Sequence, residues 1–560
     1  MDNQKNLILA VACSILVLII FDFLVNKPQN ERAFIDSNEE TTQEQNLDPV
    51  ITNQPLSSQN INQMKEKRIS FDLPRIKGSI NLYGSTFDDL ILKDYKESVK
   101  NESDFVRVLF NENSNTPFLV RNGWASTSNI NLPSKDTLWT VKNNQLSSKK
   151  YIELFWDNNQ GVIFERIITF DNNYLIKVTD NVLNRTNQII DVSNFSYIQR
   201  KNHRPENKFF ILHEGPIGVF NQELRELSYE EIEESKVISE NASNGWIGMT
   251  DHYWQVSIFP EAGSNFKANF KNIRNEENSI QVDFINKKIF SLKPNERVSS
   301  DSFIFAGAKE VPLIDEYMNK YNIQNFDLSV DFGWFYFLTK PLFYALNYLY
   351  IFFGNFGIGI IILTLCVRII LFPLANKSFK SMNAMKILTP EIQRLKDRYK
   401  DDKTKMNQEM FNLYKQKKIN PAAGCLPILI QIPIFFALYK VLFVSIEMRH
   451  APFFGWIKDL SAPDPTSIFN AFGLISWDPP NFLTIGIWPI LMGLTMYLQQ
   501  KLNPPPPDPI QAKVFMMLPF IFTFLLATFP AGMVIYWTSN NILSIAQQSL
   551  ILKKQKAEIK

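Results

Sequence analysis

The stretch ILTLCVRIILFPL, residues 362–374, decides how the rest of the chain is read. Its side chains are those of a membrane-spanning helix, yet it carries Arg368, and a guanidinium keeps its charge at any ordinary pH. A fixed charge at the centre of such a helix costs roughly 2.5–3.5 kcal/mol on insertion scales. Thr364 lies one turn earlier on the same helical face. Two readings stand side by side. Arg368 is about 9 Å along a helix from Leu374, so its stem can snorkel to the aqueous boundary. Alternatively it lines a hydrophilic cavity inside a bundle.

Charge downstream orients the helix. Residues 376–420 carry twelve Lys or Arg against five Asp or Glu, which places that loop in the cytoplasm. Within it Met382, Met385, Leu388, Ile392, Leu395 and Tyr399 recur at helical spacing, as do Met406, Met410 and Leu413. Thr389-Pro390-Glu391 reads as an N-cap with proline at the first helical position, and the acidic residues after Arg398 read as a turn. The prediction is an antiparallel helical hairpin, either a solvated basic loop or a surface for anionic lipid or ribosomal RNA.

Further apolar runs follow at 425–446, 482–498, 514–529 and 533–552. Pro427, Pro433, Pro489 and Pro519 sit inside them, either kinking the helices for packing or marking wet, irregular interior. In the last run Tyr536, Asn540, Ser544 and Gln547 or Gln548 form a polar stripe, flanked by Trp537 and Asn541, and Gln431 adds a polar group to the 425–446 run. Such a stripe is either helix–helix glue or the wall opposite Thr364 and Arg368. Met492 and Met496 share a face that either accepts varied apolar partners or is simply core. Lys440 lies in the outer half of its run, where it can snorkel outward.

Upstream, 332–375 is almost continuously apolar, with candidate breaks at Lys340-Pro341 and at Gly354–Gly357. The positive-inside argument allows one crossing here, so 331–355 is expected as an interfacial amphipathic helix and 357–374 as the span. Residues 66–330 alternate in short strands: YIELFW, VIFERIITF and YLIKVTD are separated by DNNQG and DNN turns. They predict an all-β domain of two packed antiparallel sheets. Residues 27–65 are rich in Asn, Gln, Glu and Ser and read as a flexible linker. The apolar run 7–25 is long enough to span a bilayer and continues well past Cys13. It therefore fits an uncleaved anchor, 1–26, better than a signal peptide or lipoprotein signal. The tail 553–560 is basic. The expected whole is a multi-domain, six-span integral membrane protein with both termini inside and the β domain outside.

Composition limits the chemistry. The net charge of +2 and mean hydropathy of −0.13 average two dissimilar halves. The three cysteines lie in apolar runs, and the four histidines form no metal-binding spacing. No phosphate loop, acid pair or Ser/His arrangement appears inside the membrane runs, so no enzyme activity, metal, cofactor or specific DNA partner is expected. A solute transporter, or a membrane scaffold with an outer β receptor domain, remains an alternative, although transporters often show paired repeats that are absent here.

GIIILTLCVRIILFPL, the whole 381–440 segment, APFFGWIKDLSAPDP and FPAGMVIYWTSNNILSIAQQ together resemble the YidC/Oxa/Alb membrane-protein insertases. The anchor and large outer domain resemble the Gram-negative version. The resemblance is strong over 355–550 and mainly architectural over 60–325. It implies insertion and folding of inner-membrane proteins, alone or with the Sec translocon, with nascent chains, lipid and the ribosome as partners. It also implies a periplasmic β-supersandwich and a five-helix core, 356–552, around a hydrophilic groove open to cytoplasm and lipid. Arg368 matches the groove arginine. Thr364, Phe435, Tyr536 and Trp537 fall at substrate-contacting positions, and Gln431, Met492, Met496 and Asn540 are taken with them as groove residues. Met385, Pro390 and Glu409 mark the hairpin. Lys440 and the four prolines within 499–513 depart from the pattern.

Overall fold

The computed structural model describes residues 67–560 except 101, 147–149, 204–211, 274–277, 334, 400–401, 418–425, 478, 481–482, 504–508 and 560. The expected anchor 1–26, linker 27–65, Cys425 and the consecutive prolines lie outside the described residues.

The strands form two sheets, antiparallel throughout. One has ten described strands, in the order Arg68–Asp72, Ile76–Asn81, Thr86–Lys96, Phe118–Ser126, Ile190–Lys201, Ser279–Asn286, Phe266–Asn272, Val237–Ala242. Phe105–Leu109 and Phe290–Leu292 pair off this path. The other has nine, in the order Glu223–Glu226, Gly215–Phe220, Gly245–Thr250, Trp254–Pro260, Arg297–Ala308, Leu175–Asn184, Val162–Phe170, Tyr151–Asp157, Thr140–Gln145. Asp-Asn chemistry makes the turns. The Asp157 carboxylate accepts from the N–H of Asn159, and that of Asp171 from the N–H groups of Asn173 and Leu175, the local bonds that favour Asp and Asn in turns.

The sheets are joined through their buried faces. Arg166 is sealed from solvent and pairs with Asp180 on the neighbouring strand at 2.6 Å. It also donates to the Asn122 carbonyl of the other sheet at 2.9 Å. The helix α1, Tyr229–Ser235, carries a complete Ser228–Glu231 capping box. After α2, Val311–Tyr321, the 3₁₀ turn Phe326–Ser329 presses Phe326 edge-on against Trp246, Phe259 and Phe305 of three adjacent strands. These rings are among the largest buried side chains.

The helical half begins with α3, Tyr336–Phe353. It continues through α4, Phe356–Ile370; α5, Phe372–Arg398; α6, Lys403–Gln416; α7, Leu426–Val444; α8, Ile487–Leu502; α9, Pro509–Leu526; and α10, Ala531–Ile559. Among the described residues no single helix is long and apolar enough to cross a membrane. The pair α4 and α5, bent by 68°, passes that test together, and Gln431–Val444 and Ala512–Leu526 are shorter apolar helices. Gly354 ends α3 with φ +68, a backbone that glycine adopts without strain. Gly493 lets α8 approach α9: a Cβ there would lie 1.9 Å from Thr523 Oγ1.

Three local expectations need correction. Lys340-Pro341 does not break the chain; α3 runs through it, and the Lys340 ammonium is held at 2.9 Å by both Asp315 and Asp327. The basic segment 376–420 does not open with a helix of its own, because α4 passes into α5 through a kink at Leu371, with Pro373 in the first turn of α5. Pro390 starts no new helix but lies inside α5. Lys386, Ile387, Thr389 and Pro390 are exposed, so the carbonyl that loses its N–H partner is within reach of water, and the helix tolerates the missing bond.

Candidate substrate groove

The Asn355 side chain caps α4 by accepting from the Ile358 N–H at 3.1 Å. Two and a half turns on, Thr364 is buried and bonds back to the Ile360 carbonyl at 2.6 Å. Arg368, one turn further, is half-buried. Its Nε donates to Asn540 Oδ1 at 2.8 Å and its Nη2 to the Asn540 carbonyl at 3.4 Å. Among the described residues no carboxylate pairs with it. A guanidinium has five N–H donors, so the neutral Asn540 leaves donors for water or an incoming group.

One turn before Asn540 on α10, the buried Tyr536 hydroxyl accepts from Gln431 Nε2 of α7. Phe435, one turn after Gln431, meets the Trp537 ring edge-on at 4.8 Å. Trp537 also contacts Phe522 of α9 at 6.1 Å. Thus α4, α7 and α10 converge, with a cation and amides at one level and aromatic rings beside them.

The polar stripe of α10 divides in two. Tyr536 and Asn540 face α4 and α7. Asn541 instead donates to Thr495 of α8 at 3.2 Å, and Gln548 to Asn503 at 3.2 Å, which is interhelical glue. Ser544 bonds back to the Asn540 carbonyl. Met492 is fully buried in an apolar cluster with Leu526 and Val534, against which Met496 and the ring of Trp537 pack. Residues 534 and 536 lie on nearly opposite faces of a helix, so the structure does not bring these methionines to Arg368. On the basic arms Met385 and Glu409 are half-buried and Pro390 exposed. Glu391 and Lys417 join the arms at 3.6 Å, while Ala375 and Phe379 pack on Ile551 of α10.

A second polar cluster, not anticipated, ties the far end of α7 to the β half. Lys440 pairs with Asp331 at 2.7 Å. His252 shares a 2.7 Å bond with the Phe443 carbonyl, and Glu447 Oε1 accepts from the Val311 N–H at 3.0 Å. Burial pulls His252 down to about 4, which leaves it neutral and able to donate from Nε2. Burial pushes the Glu447 carboxyl up to about 8, and the nearby Glu310 adds to the shift. Burial likewise lowers Lys309 to about 8, against the pull of Asp251 and Asp331. Lys440 was the only sequence signal for this cluster; its partner lies 109 positions away. Among the described residues no three His, Cys, Asp or Glu side chains gather as a metal site.

Residues 348–558 match the family of the 60Kd inner membrane protein, and residues 68–345 match the YidC periplasmic domain. A membrane protein insertase YidC of Rickettsia bellii is 44% identical over 99% of this chain and 100% of its own length. That of Rickettsia canadensis is 46% identical over 99% of each. A crystal structure titled as an active YidC insertase with its first transmembrane domain resolved covers 86% of this chain and 92% of its own, at 17% identity and a TM-score of 0.34, a likeness too loose to bear on detail. With both halves matched and near-full-length relatives at such identity, the chain belongs to the YidC family of bacterial inner-membrane protein insertases.

Proposed function

We propose that the convergence of α4, α7 and α10 is the groove through which this insertase passes its substrates. The observation that carries this reading is the Arg368 cation held by the neutral Asn540 rather than by a carboxylate. An arginine in a wet groove escapes much of the cost of hydrocarbon burial, and its spare donors attract the polar or acidic outer segment of a substrate. The polar segment enters partway while the adjoining apolar segment slides between helices into lipid. Burial of about 20 apolar residues drives the transfer. The protein lowers the barrier without a nucleotide and without acting as an enzyme.

In this reading 356–552 is the five-helix core, 331–355 lies at the outer interface, and the anchor makes the sixth span with both termini in the cytoplasm. Residues 66–330 form the periplasmic supersandwich, and the basic arms of 376–420 with the tail 553–560 receive nascent chains from the ribosome. The Sec translocon is a partner for some clients. Thr364, Gln431, Phe435, Tyr536, Trp537 and Asn540 line the path beside Arg368. Met492 and Met496 support its wall from the far side of α10.

The test places a photocrosslinker at Thr364 and at Trp537 and supplies ribosomes stalled on a short single-span protein. Crosslinks at both sites, moving along the substrate as it lengthens, are expected. Silence at both, together with silence at Met385, would overturn the reading in favour of a transporter or scaffold. Solute flux from purified protein in liposomes would identify the former.

A further inference from the structure

We propose that the tip of the α7–α8 connection, residues 468–477, inserts into the outer leaflet of the bilayer and anchors the outer end of the helical core to lipid. The inference rests on the reading of this chain as membrane-embedded. The base of the connection is built into the protein. Ile457 and Leu460 are buried, the Gly532 N–H donates to the Leu460 carbonyl at 2.9 Å, and the Ala531 N–H donates to the Ala462 carbonyl at 2.7 Å.

Asp464 is the hub. It is almost fully buried, and its carboxylate accepts from Trp456 Nε1, the Thr466 N–H and hydroxyl, and the Trp488 N–H, at 2.7–3.1 Å. The last of these bonds fixes the loop to the first turn of α8. The Ile468 N–H then pairs with the Ile485 carbonyl at 3.1 Å.

On this rigid root stands TSIFNAFGLISW, residues 466–477, twelve residues with no charge. Ile468, Phe469, Phe472, Leu474, Ile475 and Trp477 are all exposed, Leu474 to 88%. The tip is nonetheless ordered by its own bonds, Phe472 N–H to Ser467 carbonyl at 2.8 Å and Ile475 N–H to Asn470 carbonyl at 3.1 Å. Ala471 and Phe472 take left-handed backbone at φ 49 and 58, which L residues adopt at a cost. A protein that holds six large apolar side chains out in an ordered loop has a surface for an apolar partner.

Lipid fits better than protein. The tip itself lacks the charged rim of a specific interface, it carries a tryptophan suited to the headgroup boundary, and α8, to whose first turn the root is bonded, exposes Leu491, Leu494 and Leu498. Irregular backbone is not tolerated in the hydrocarbon centre, so the insertion is shallow.

The experiment uses the full chain with Cys13, Cys366 and Cys425 replaced by Ser and a nitroxide on Leu474→Cys, in vesicles of phosphatidylethanolamine and phosphatidylglycerol. Collision with oxygen is compared with collision with a water-soluble nickel chelate. Leu494→Cys serves as the lipid reference, and Ile189→Cys, exposed on a turn of the β half, as the water reference. The expected oxygen-to-nickel ratio at Leu474 approaches that at Leu494 and exceeds that at Ile189 several-fold. A ratio equal to that at Ile189 while Leu494 reports lipid would overturn the proposal alone. Water-like values at both Leu474 and Leu494 would overturn the membrane-embedded reading and this proposal with it.

Discussion

Two arginines separate the halves of this molecule. Arg166 is sealed between sheets and answered by the equally buried Asp180. Arg368 is half-buried among helices and answered by an amide. The β half follows the rule of water: Ile, Val and Phe fill the interior, and the buried Arg166 has its counter-charge. The helical half inverts it. Its exposed side chains include Ile369, Ile370, Phe520, Phe524 and Leu525, while Thr364, Thr538, Asn541, Ser544 and Gln548 are buried. Apolar surface outside and polar groups inside is the arrangement suited to lipid as solvent. A guanidinium met by a carboxylate has its charge answered; one met only by an amide keeps donors for other partners.

The sharpest break of this comparison is to remove each arginine's partner or the arginine itself. Asp180→Ala strands Arg166 in the core and is expected to destabilise the β half by about 3–5 kcal/mol, seen as a lower urea midpoint and early proteolysis between the sheets. A loss below about 1 kcal/mol would mean that Arg166 does not depend on Asp180 as its counter-charge. Arg368→Met should do the reverse, leaving the melting temperature within a few degrees. Insertion of a substrate with an acidic outer segment should fall about tenfold, the scale of a charged hydrogen bond. Insertion at the parental rate would reduce Arg368 to a snorkelling anchor.

The same contrast explains what was legible in the sequence. The strands over 151–184 could be bounded because DNNQG and DNN carry their own turn chemistry, and local bonds are written in adjacent residues. Helix interruptions were less legible. Lys340-Pro341 and Pro390 look like breaks locally, but Asp315 and Asp327 for the first, and solvent access for the second, let the helices continue. Pairings across the fold were not legible. Nothing in the α10 stripe says that Asn540 meets Arg368 while Asn541 meets Thr495, since that depends on how α10 is rotated against its neighbours. Asp464 stands between two prolines, but nothing local marks it as a hub, since its four donors come from three separate places in the chain.

A smaller effect is expected at the seam between the halves. Lys440→Ala leaves Asp331 without its ammonium; the pair is only partly buried, so the loss should be about 1 kcal/mol. A double-mutant cycle with Asp331→Ala, read by thermal melting, isolates the coupling. A coupling of zero would return Lys440 to a solvated surface charge and leave the His252–Phe443 bond as the tie between α7 and the β half.

The smallest effect is one of slope, and it sets two buried groups in this seam against each other. Glu447 in the folded chain holds its proton to about pH 8, above its ordinary carboxylate value. Between roughly pH 4.5 and 8 the folded form therefore binds more protons than the unfolded form, and stability falls as pH rises through that window. His252 is displaced the other way, to about 4. The unfolded form binds more protons between about pH 4 and 6.5, and stability falls as pH drops through that range. The two slopes oppose each other between about pH 4.5 and 6.5, and the Glu447 slope stands alone above that. Over the alkaline window about 1 kcal/mol is at stake. Glu447→Gln keeps an acceptor for the Val311 N–H but cannot ionise. Its melting temperature should decline less than the parent's from pH 6.5 to 8, and below pH 6 it should fall as the His252 penalty sets in, while the parent, in which Glu447 offsets that loss, stays nearly level. Parallel declines on the alkaline side would show that Glu447 is already ionised in the folded protein. The seam would then be an ordinary wet surface instead of a dry joint between a half built for water and a half built for lipid.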